Sequence, residues 1–285
     1  MSTARAFGFA TTAEEVVSSF SKRVQGRAFV ITGPTPGTLG AELALALARA
    51  STPPAAIILV GRGDTQRYAP LVDAIQAVNA IDVRVYAGID LADLSVDGIE
   101  THFATNHIGH FLLTNMLMRL LLKGKDARVV NVTSAGHAAG SGDYTDYNFE
   151  SNEYTWLTAY GQSKLANIHF TQYLVSVLGP RGVTAAAPHP GVVYSTNLYS
   201  SFPSPEARSA FRAQIASCGI SEKSTSQGVA TILVAALDPQ LVQYNGSYFE
   251  DCIVAAPRGE GVVLPSAPEA LWRLSEKLVN ETFAY

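Results

Sequence analysis

The chain has 285 residues, 47% of them hydrophobic and only 15% charged, enough apolar material to bury one large α/β core. Its formal net charge of -4 leaves no basic excess for neutralising nucleic-acid phosphates, which excludes that class of partner and favours small-molecule chemistry. With two cysteines, Cys218 and Cys252, and no basic-then-apolar leader, neither a disulfide framework nor secretion is expected, and the expected setting is a reducing, cytoplasmic one.

In chain order, Thr12 and Glu15 are spaced as a capping box ahead of Val16, Val17 and Phe20. They predict a short helical extension at about 12–24, outside the main core of a single domain over 1–285. An apolar strand at 27–32, a Gly/Pro-rich loop to Gly40 and an Ala/Leu-rich helix at 41–50 follow. The alternation repeats with a strand at 55–60, a helix at 65–79 whose Leu71, Ile75 and Val78 share a face, and a strand at 82–87. Farther on come a helix at about 103–122, a strand at 127–133, a helix at about 155–178 and a strand at 182–188. The most apolar run, 107–122, carries Asn115 and Arg119 and falls short of the roughly 20 residues of a membrane span, so none is expected. Apolar strands alternating with helices predict a doubly wound, parallel, Rossmann-type α/β sheet in three layers, α/β/α.

The loop between the first strand and first helix holds Gly33, Gly37 and Gly40, bare backbone that can approach a pyrophosphate at a helix N-terminus. An ordinary turn has the same composition; the strand before and the helix after favour a cofactor loop. Arg62, ending the second strand, can pair with the 2′-phosphate of NADP where a carboxylate would take a ribose hydroxyl; a solvated loop arginine is the alternative. Asp90-Leu91, after the third strand, offers an acid and an apolar residue to an adenine ring.

Tyr160 and Lys164 stand four apart, on one helix face, where the cation favours phenolate and lowers a pKa of about 10 towards proton exchange with an alcohol or carbonyl oxygen. Ser134 emerges at the C-terminal edge of the 127–133 strand, where doubly wound sheets bind ligands. Asn106 opens the helix near 103 and can bend it, freeing a carbonyl to hold a water near Lys164; a cap is its more ordinary role. His102, His107, His110 and His137 fit no compact ligand spacing, so no metal is expected, and His189 before Pro190 reads as structural. Gly161-Gln-Ser163 begins the G-x-S-x-G elbow of a hydrolase, but Leu165 fills the last glycine's place and Ser163 falls inside the predicted helix.

The loop at 33–40, Asn106 in NHIGHF, Ser134 after VVNVT, Tyr160-x-x-x-Lys164 followed by Leu-Ala-Asn, and His189-Pro190-Gly191 together resemble the short-chain dehydrogenase/reductases, over nearly the whole chain. The chain is most similar to the retinol-dehydrogenase-like and WW-domain-oxidoreductase-like branch, particularly soluble fungal members in secondary metabolism, with 244–252 and 271–278 in support. The resemblance implies an NADP-dependent oxidoreductase that interconverts an alcohol and a carbonyl on a moderately apolar small molecule. In that scheme Tyr160 is the acid/base, Lys164 lowers its pKa and binds the nicotinamide ribose, Ser134 orients the carbonyl, and Asn106 completes a proton relay. Gly33, Gly37, Thr38, Leu39, Gly40, Arg62, Asp90 and Leu91 would hold NADP(H), with Pro190, Gly191 and Val193 at the nicotinamide and Ser195 or Thr196 at its carboxamide. The hydride is the cofactor's. The family's variable substrate loop falls at 199–226, with Pro203, Pro205 and Phe211, and its members are usually dimers or tetramers.

The chain departs from that family twice. Its glycine loop has one residue more than Thr-Gly-x-x-x-Gly-x-Gly, so either Gly37 or Thr38 takes the middle position. More seriously, where the family places a helix, a strand ending in Asn-Asn-Ala-Gly and a further loop, LADLS here runs straight into VDGIETHFATNH. Roughly 30 residues, about one βαβ unit, are lacking between Leu94 and Val96. The expectation is a sheet lacking one central strand, which must close by about 4.8 Å or leave a gap. Three origins compete: a skipped or missed exon, a diverged protein that has compensated, and a pseudoenzyme that binds a cofactor or partner without turnover.

Overall fold

The apolar runs become strands and the Ala-rich stretches helices, in a computed structural model that describes residues 7–87, 98–201 and 204–285. These residues form two compact units, one drawn from Met1–Asp90 and Pro190–Leu237, the other from Leu91–His189 and Asp238–Tyr285.

The first unit opens with helices α1 (Ala13–Ser19) and α2 (Ser21–Val24). The capping box is present: Thr12 Oγ1 accepts from the Glu15 amide at 3.3 Å, and the Glu15 carboxylate accepts from the Thr12 amide at 3.0 Å. Rather than standing outside the core, α1 buries Ala13 and Val16 completely, and the Ala13 amide donates to Ser226 Oγ at 3.0 Å. Sequence patterning exposes only a face; it does not say what that face meets. Strands β1 (Ala28–Thr32), β2 (Ala56–Val60) and β3 (Asp82–Tyr86) form a parallel sheet with β2 in the middle. Helices α3 (Leu39–Ala48) and α4 (Ala69–Val78) make the crossovers. Helix α7 (Pro205–Ser217) has no buried residue, with Ala207, Phe211 and Ile215 half-buried, and α8 (Thr225–Leu237) is buried along most of its length.

The second unit carries a turn at Thr101–Phe103, a π-helical turn at Ala104–Ile108 and α5 (Gly109–Leu121), then β4 (Arg128–Val130), α6 (Trp156–Leu178) and β5 (Thr184–His189). Strands β6 (Tyr248–Glu250) and β7 (Ile253–Ala255) and helix α9 (Ala267–Val279) complete it. The sheet order is β4-β5-β6-β7, parallel except for the antiparallel β6–β7 hairpin. That hairpin turns on Asp251 and Cys252 at φ 52° and 65°, the left-handed pair of a type I′ turn without the usual Asn-Gly signal. Every residue of β5 is buried, and its alanines leave room for α6. The core gathers Phe103, Phe111, Met118, Phe170, Leu174 and Trp272, with the Phe111 and Trp272 rings edge to face at 4.9 Å.

The doubly wound sheet is therefore in two pieces. Among the described residues β1 has a ladder partner on one side only, β2, and β4 on one side only, β5. A strand inside a doubly wound sheet is covered on both faces, yet Val30 in the middle of β1 is 44% exposed. The split falls where the family's Asn-Asn-Ala-Gly strand is lacking; the join at 94–96 lies outside the described residues. None of the described helices is long and apolar enough to cross a membrane.

Candidate active site

Helix α6 starts at Thr155, whose hydroxyl accepts from the Thr158 amide at 3.1 Å while Thr158 Oγ1 accepts from the Thr155 amide at 3.0 Å. Successive turns then carry Trp156, Tyr160 and Lys164 on one face. The Tyr160 ring is 9% exposed, lies parallel to Trp156 at 5.0 Å, and meets the edge of His102 at 5.8 Å. Burial pushes the phenol pKa up, and the Ser134 hydroxyl, hydrogen-bonding to it, pulls it down. Sequence reasoning gave that pull to Lys164. Here Lys164 Nζ donates to the Val132 carbonyl at 3.3 Å and lies 5.7 Å from the Tyr160 ring centre, with its own pKa brought down by burial to about 8.

Ser134 leaves the end of an extended stretch that outruns β4: the amides of Asn131 and Thr133 donate to Ala186 and Pro188 carbonyls at 3.0 and 2.9 Å. Its Oγ accepts from the Gly136 amide at 3.1 Å. A side chain at Gly136 would meet Tyr160 Cε1 at 3.0 Å, and one at Gly161 would meet the Gly136 carbonyl oxygen at 2.6 Å, so two glycines let the serine loop lie against α6. A polar seam that sequence reasoning missed sets the register. Thr133 Oγ1 donates to the Lys164 carbonyl at 2.7 Å, Asn167 Nδ2 to the Val132 carbonyl at 3.1 Å, and Asn131 Nδ2 to Thr171 Oγ1 at 2.9 Å. Polar residues within the apolar run VVNVT were the available signal.

Asn106 sits in the π-helical turn, so the local bend expected of it takes that form. Its Nδ2 donates to Ser163 Oγ at 3.0 Å, and Ser163 donates to the Tyr160 carbonyl at 2.7 Å. Ser163 is thus a buried residue inside α6, spent on helix contacts, with none of the exposure of a hydrolase elbow. The Asn106 and Thr105 carbonyls face the His110 imidazole, whose pKa falls to about 4 through burial and the nearby Lys164 charge. Of the remaining histidines, His107 Nε2 meets Ser275 Oγ at 2.8 Å and His169 Nδ1 meets Tyr144 Oη at 2.8 Å.

The first unit holds the glycine loop. Gly33 and Gly37 adopt φ of 62° and 81°, and a side chain at Gly40 would strike the Gly33 carbonyl oxygen at 2.7 Å, which seats α3 directly on β1. Thr38 caps α3, its Oγ1 accepting from the Ala41 amide at 3.4 Å and donating to the Gly33 carbonyl at 2.8 Å; Leu39 is the first helical residue. A bare left-handed loop opening a helix suits a diphosphate, so these residues fit a dinucleotide. The exposed Arg62 follows β2, its carbonyl accepting from Tyr68 Oη at 2.8 Å.

In the same unit Gly191 has φ 81° against the Lys223 side chain, and the Lys223 amide donates to the Val192 carbonyl at 2.8 Å. Pro190 and Val193 are buried; Ser195 Oγ meets Thr225 Oγ1 at 3.0 Å, and Thr196 Oγ1 donates to the Val193 carbonyl at 3.0 Å. In the expected substrate loop Tyr199 lies 4.7 Å from Tyr194, Arg212 covers Tyr194 at 5.1 Å and pairs with Glu222, while Pro203 is outside the described residues. Asp90 and Leu91 also lie outside them. Ser134, Tyr160, Lys164 and Asn106 thus come together in the second unit, and the glycine loop, Arg62 and 190–196 belong to the first.

This chain is 34% identical to retinol dehydrogenase 12 of Mus musculus, over 93% of this chain and 90% of that one. The alignment, 297 residues long, exceeds the whole chain here, so the relative has residues without a counterpart in it. The WW domain-containing oxidoreductase of Homo sapiens is 35% identical over 66% of this chain, which spans only 45% of that relative's length. Among solved structures, an uncharacterized protein of Mycobacterium Paratuberculosis superposes with a TM-score of 0.67 at 28% identity, over 97% of this chain and all of the other. The NADPH-bound carbonyl reductase from chicken fatty liver, at 16% identity and a TM-score of 0.58 over 81% of this chain and 99% of that one, shares the fold. The short chain dehydrogenase model matches residues 44–206, a stretch that takes in Asn106, Ser134, Tyr160 and Lys164, and on that match and those identities the chain belongs to the short-chain dehydrogenase/reductase family.

Proposed function

We propose that the chain is an NADP-dependent oxidoreductase that interconverts an alcohol and a carbonyl on a moderately apolar small molecule. The observation that carries this reading is the buried Tyr160 ring against the Ser134–Gly136 turn, one helical turn from Lys164. The cofactor, when bound, supplies or accepts the hydride. Tyr160 then hands its proton to a carbonyl oxygen, or takes one from an alcohol, with the Ser134 hydroxyl beside it orienting the substrate. In this reading Lys164 supplies a positive charge near the phenol while it is deprotonated and would bind the nicotinamide ribose. Asn106, through Ser163, braces the turn that carries Tyr160. The loop at 33–40 and the α3 N-terminus take the diphosphate, and Arg62 the 2′-phosphate. The same reading carries a cytoplasmic setting, a dimer or tetramer, and a substrate from secondary metabolism.

A second reading is favoured by the divided sheet: a member of the family that binds its cofactor or a partner without turning over substrate. Titration with NADPH followed by its emission, then a panel of ketones, aldehydes and secondary alcohols, separates the two. Turnover supports the first reading, binding alone the second, and no binding removes both. Arg62→Asp is expected to weaken NADPH binding at least tenfold and leave NADH nearly unchanged; equal losses would remove the assignment to NADP.

A further inference from the structure

The Ser134–Ala135 peptide bond has a buried imidazole on each of its polar groups. The Ser134 carbonyl accepts from His137 Nδ1 at 2.6 Å, in addition to the His137 amide at 3.0 Å. The Ala135 amide donates to His189 Nδ1 at 3.2 Å. A carbonyl can only accept and an amide can only donate, so the geometry fixes both rings. His137 carries its proton on Nδ1, and its Nε2 is a lone pair, as its acceptance of the Arg258 amide at 2.9 Å also requires. His189 is the opposite tautomer, with a lone pair on Nδ1. The two rings are 1% and 6% exposed, and His137 is held further by the Tyr248 ring, edge on at 5.2 Å.

We propose that His137 and His189 are positioning residues for Ser134: as opposite neutral tautomers they grip both polar groups of its peptide and so fix its hydroxyl on the Tyr160 phenol. This rests on the oxidoreductase reading for its consequence in turnover, but not for its geometry. With Oγ accepting from the Gly136 amide, the Ser134 hydroxyl proton is free to reach the neighbouring phenol, where it opposes the rise that burial gives the Tyr160 pKa. Rotation of the peptide would break both contacts and disturb the turn whose Gly136 amide holds Ser134 Oγ. Glu250, Arg258 and His169 are the charged or titratable groups facing His137, and burial holds its pKa down, which keeps it neutral.

The test uses the full chain. Long-range ¹H–¹⁵N spectra at pH 7 should show His137 protonated on Nδ1 and His189 on Nε2; the same tautomer in both, or a charged ring, overturns the proposal. Asparagine can replace each ring, giving an N–H at 137 and a carbonyl at 189, whereas leucine gives neither. Phenol titration followed by ¹³C-labelled tyrosine should show the Tyr160 pKa raised in His137→Leu and His189→Leu to the level of Ser134→Ala, and near wild type in His137→Asn and His189→Asn. On a turned-over substrate the leucine variants should lose about 10²-fold in kcat with KM for NADPH unchanged. Adding His137→Leu to Ser134→Ala should cost nothing further; an additional loss overturns the proposal, as does an unshifted phenol in both leucine variants. If a leucine variant does not fold, the tautomers and the asparagine pair still decide. A wild type with these tautomers and this titration but no turnover would sink the oxidoreductase reading alone.

Discussion

At the residue scale, Tyr160 is held between burial, which favours the phenol, and the Ser134 hydroxyl, which favours the phenolate. Tyr160→Phe should lower kcat by about 10²–10⁴-fold while NADPH binding stays within a factor of a few, measured by steady-state rates and titration. Lys164 makes a separate pH prediction. Its pKa of about 8 means that the ammonium is present below that pH and lost above it, in a range where Tyr160 is still protonated. The rate should therefore fall as pH rises through about 8, and Lys164→Arg, whose charge persists above pH 12, should remove that limb even if its rate is lower. A limb that survives the substitution would assign the titration elsewhere. That Tyr160, Lys164, Ser134 and Asn106 form one candidate set was legible in the sequence, because each belongs to a short pattern, and the structure brings them into one unit. His137 and His189 were not. Their work depends on which ring nitrogen holds a proton and on partners as far apart as Ala135 and His189, and neither is a property of spacing.

At the scale of elements, α6 places the candidate pair Tyr160 and Lys164 and is itself placed by its first turn and its glycine. Thr155→Ala removes one half of the capping box and should cost about 0.5–2 kcal/mol, read from urea midpoints. Gly161→Ala is harsher, because its new Cβ would stand 2.6 Å from the Gly136 carbonyl oxygen, backbone against backbone. The expected cost is about 1–3 kcal/mol, together with a loss of turnover as the serine loop moves off the helix. Unchanged kcat in a stable Gly161→Ala protein would show that this contact does not hold the site. The long apolar runs announced α6, β2 and β5 well. The β6–β7 hairpin went unread because its strands are three residues each and its turn is Asp251-Cys252 instead of Asn-Gly. At Ala104–Ile108 a bend was expected of Asn106 but its π-helical form was not legible, since the hydrogen-bond spacing that defines it leaves no mark in the apolar pattern.

At the scale of the whole molecule, the lacking strand was legible as an absence between Leu94 and Val96, and the two sheets bear the mark of it. The units also differ in their response to acid. All six histidines of the chain fall between His102 and His189, in the second unit. Burial lowers His107 to about 3 and His110 and His169 to about 4, from 6.5. The folded unit refuses protons that the unfolded chain accepts. The stability this represents is complete above about pH 6.5 and is lost as pH falls towards 4 and then 3, by about 1.4 kcal/mol per pH unit for each imidazole. His107→Phe should flatten that slope by one proton in urea melts between pH 7 and 4, with Ser275 keeping its bond to the Leu271 carbonyl. The same unit contains both tryptophans, Trp156 stacked on Tyr160 and Trp272 in the core, and the first unit contains none. Indole emission is therefore a built-in label for one half of the protein. Exciting it reports the helix of Tyr160 and Lys164 at Trp156 and its supporting core at Trp272, while the glycine-loop half stays dark.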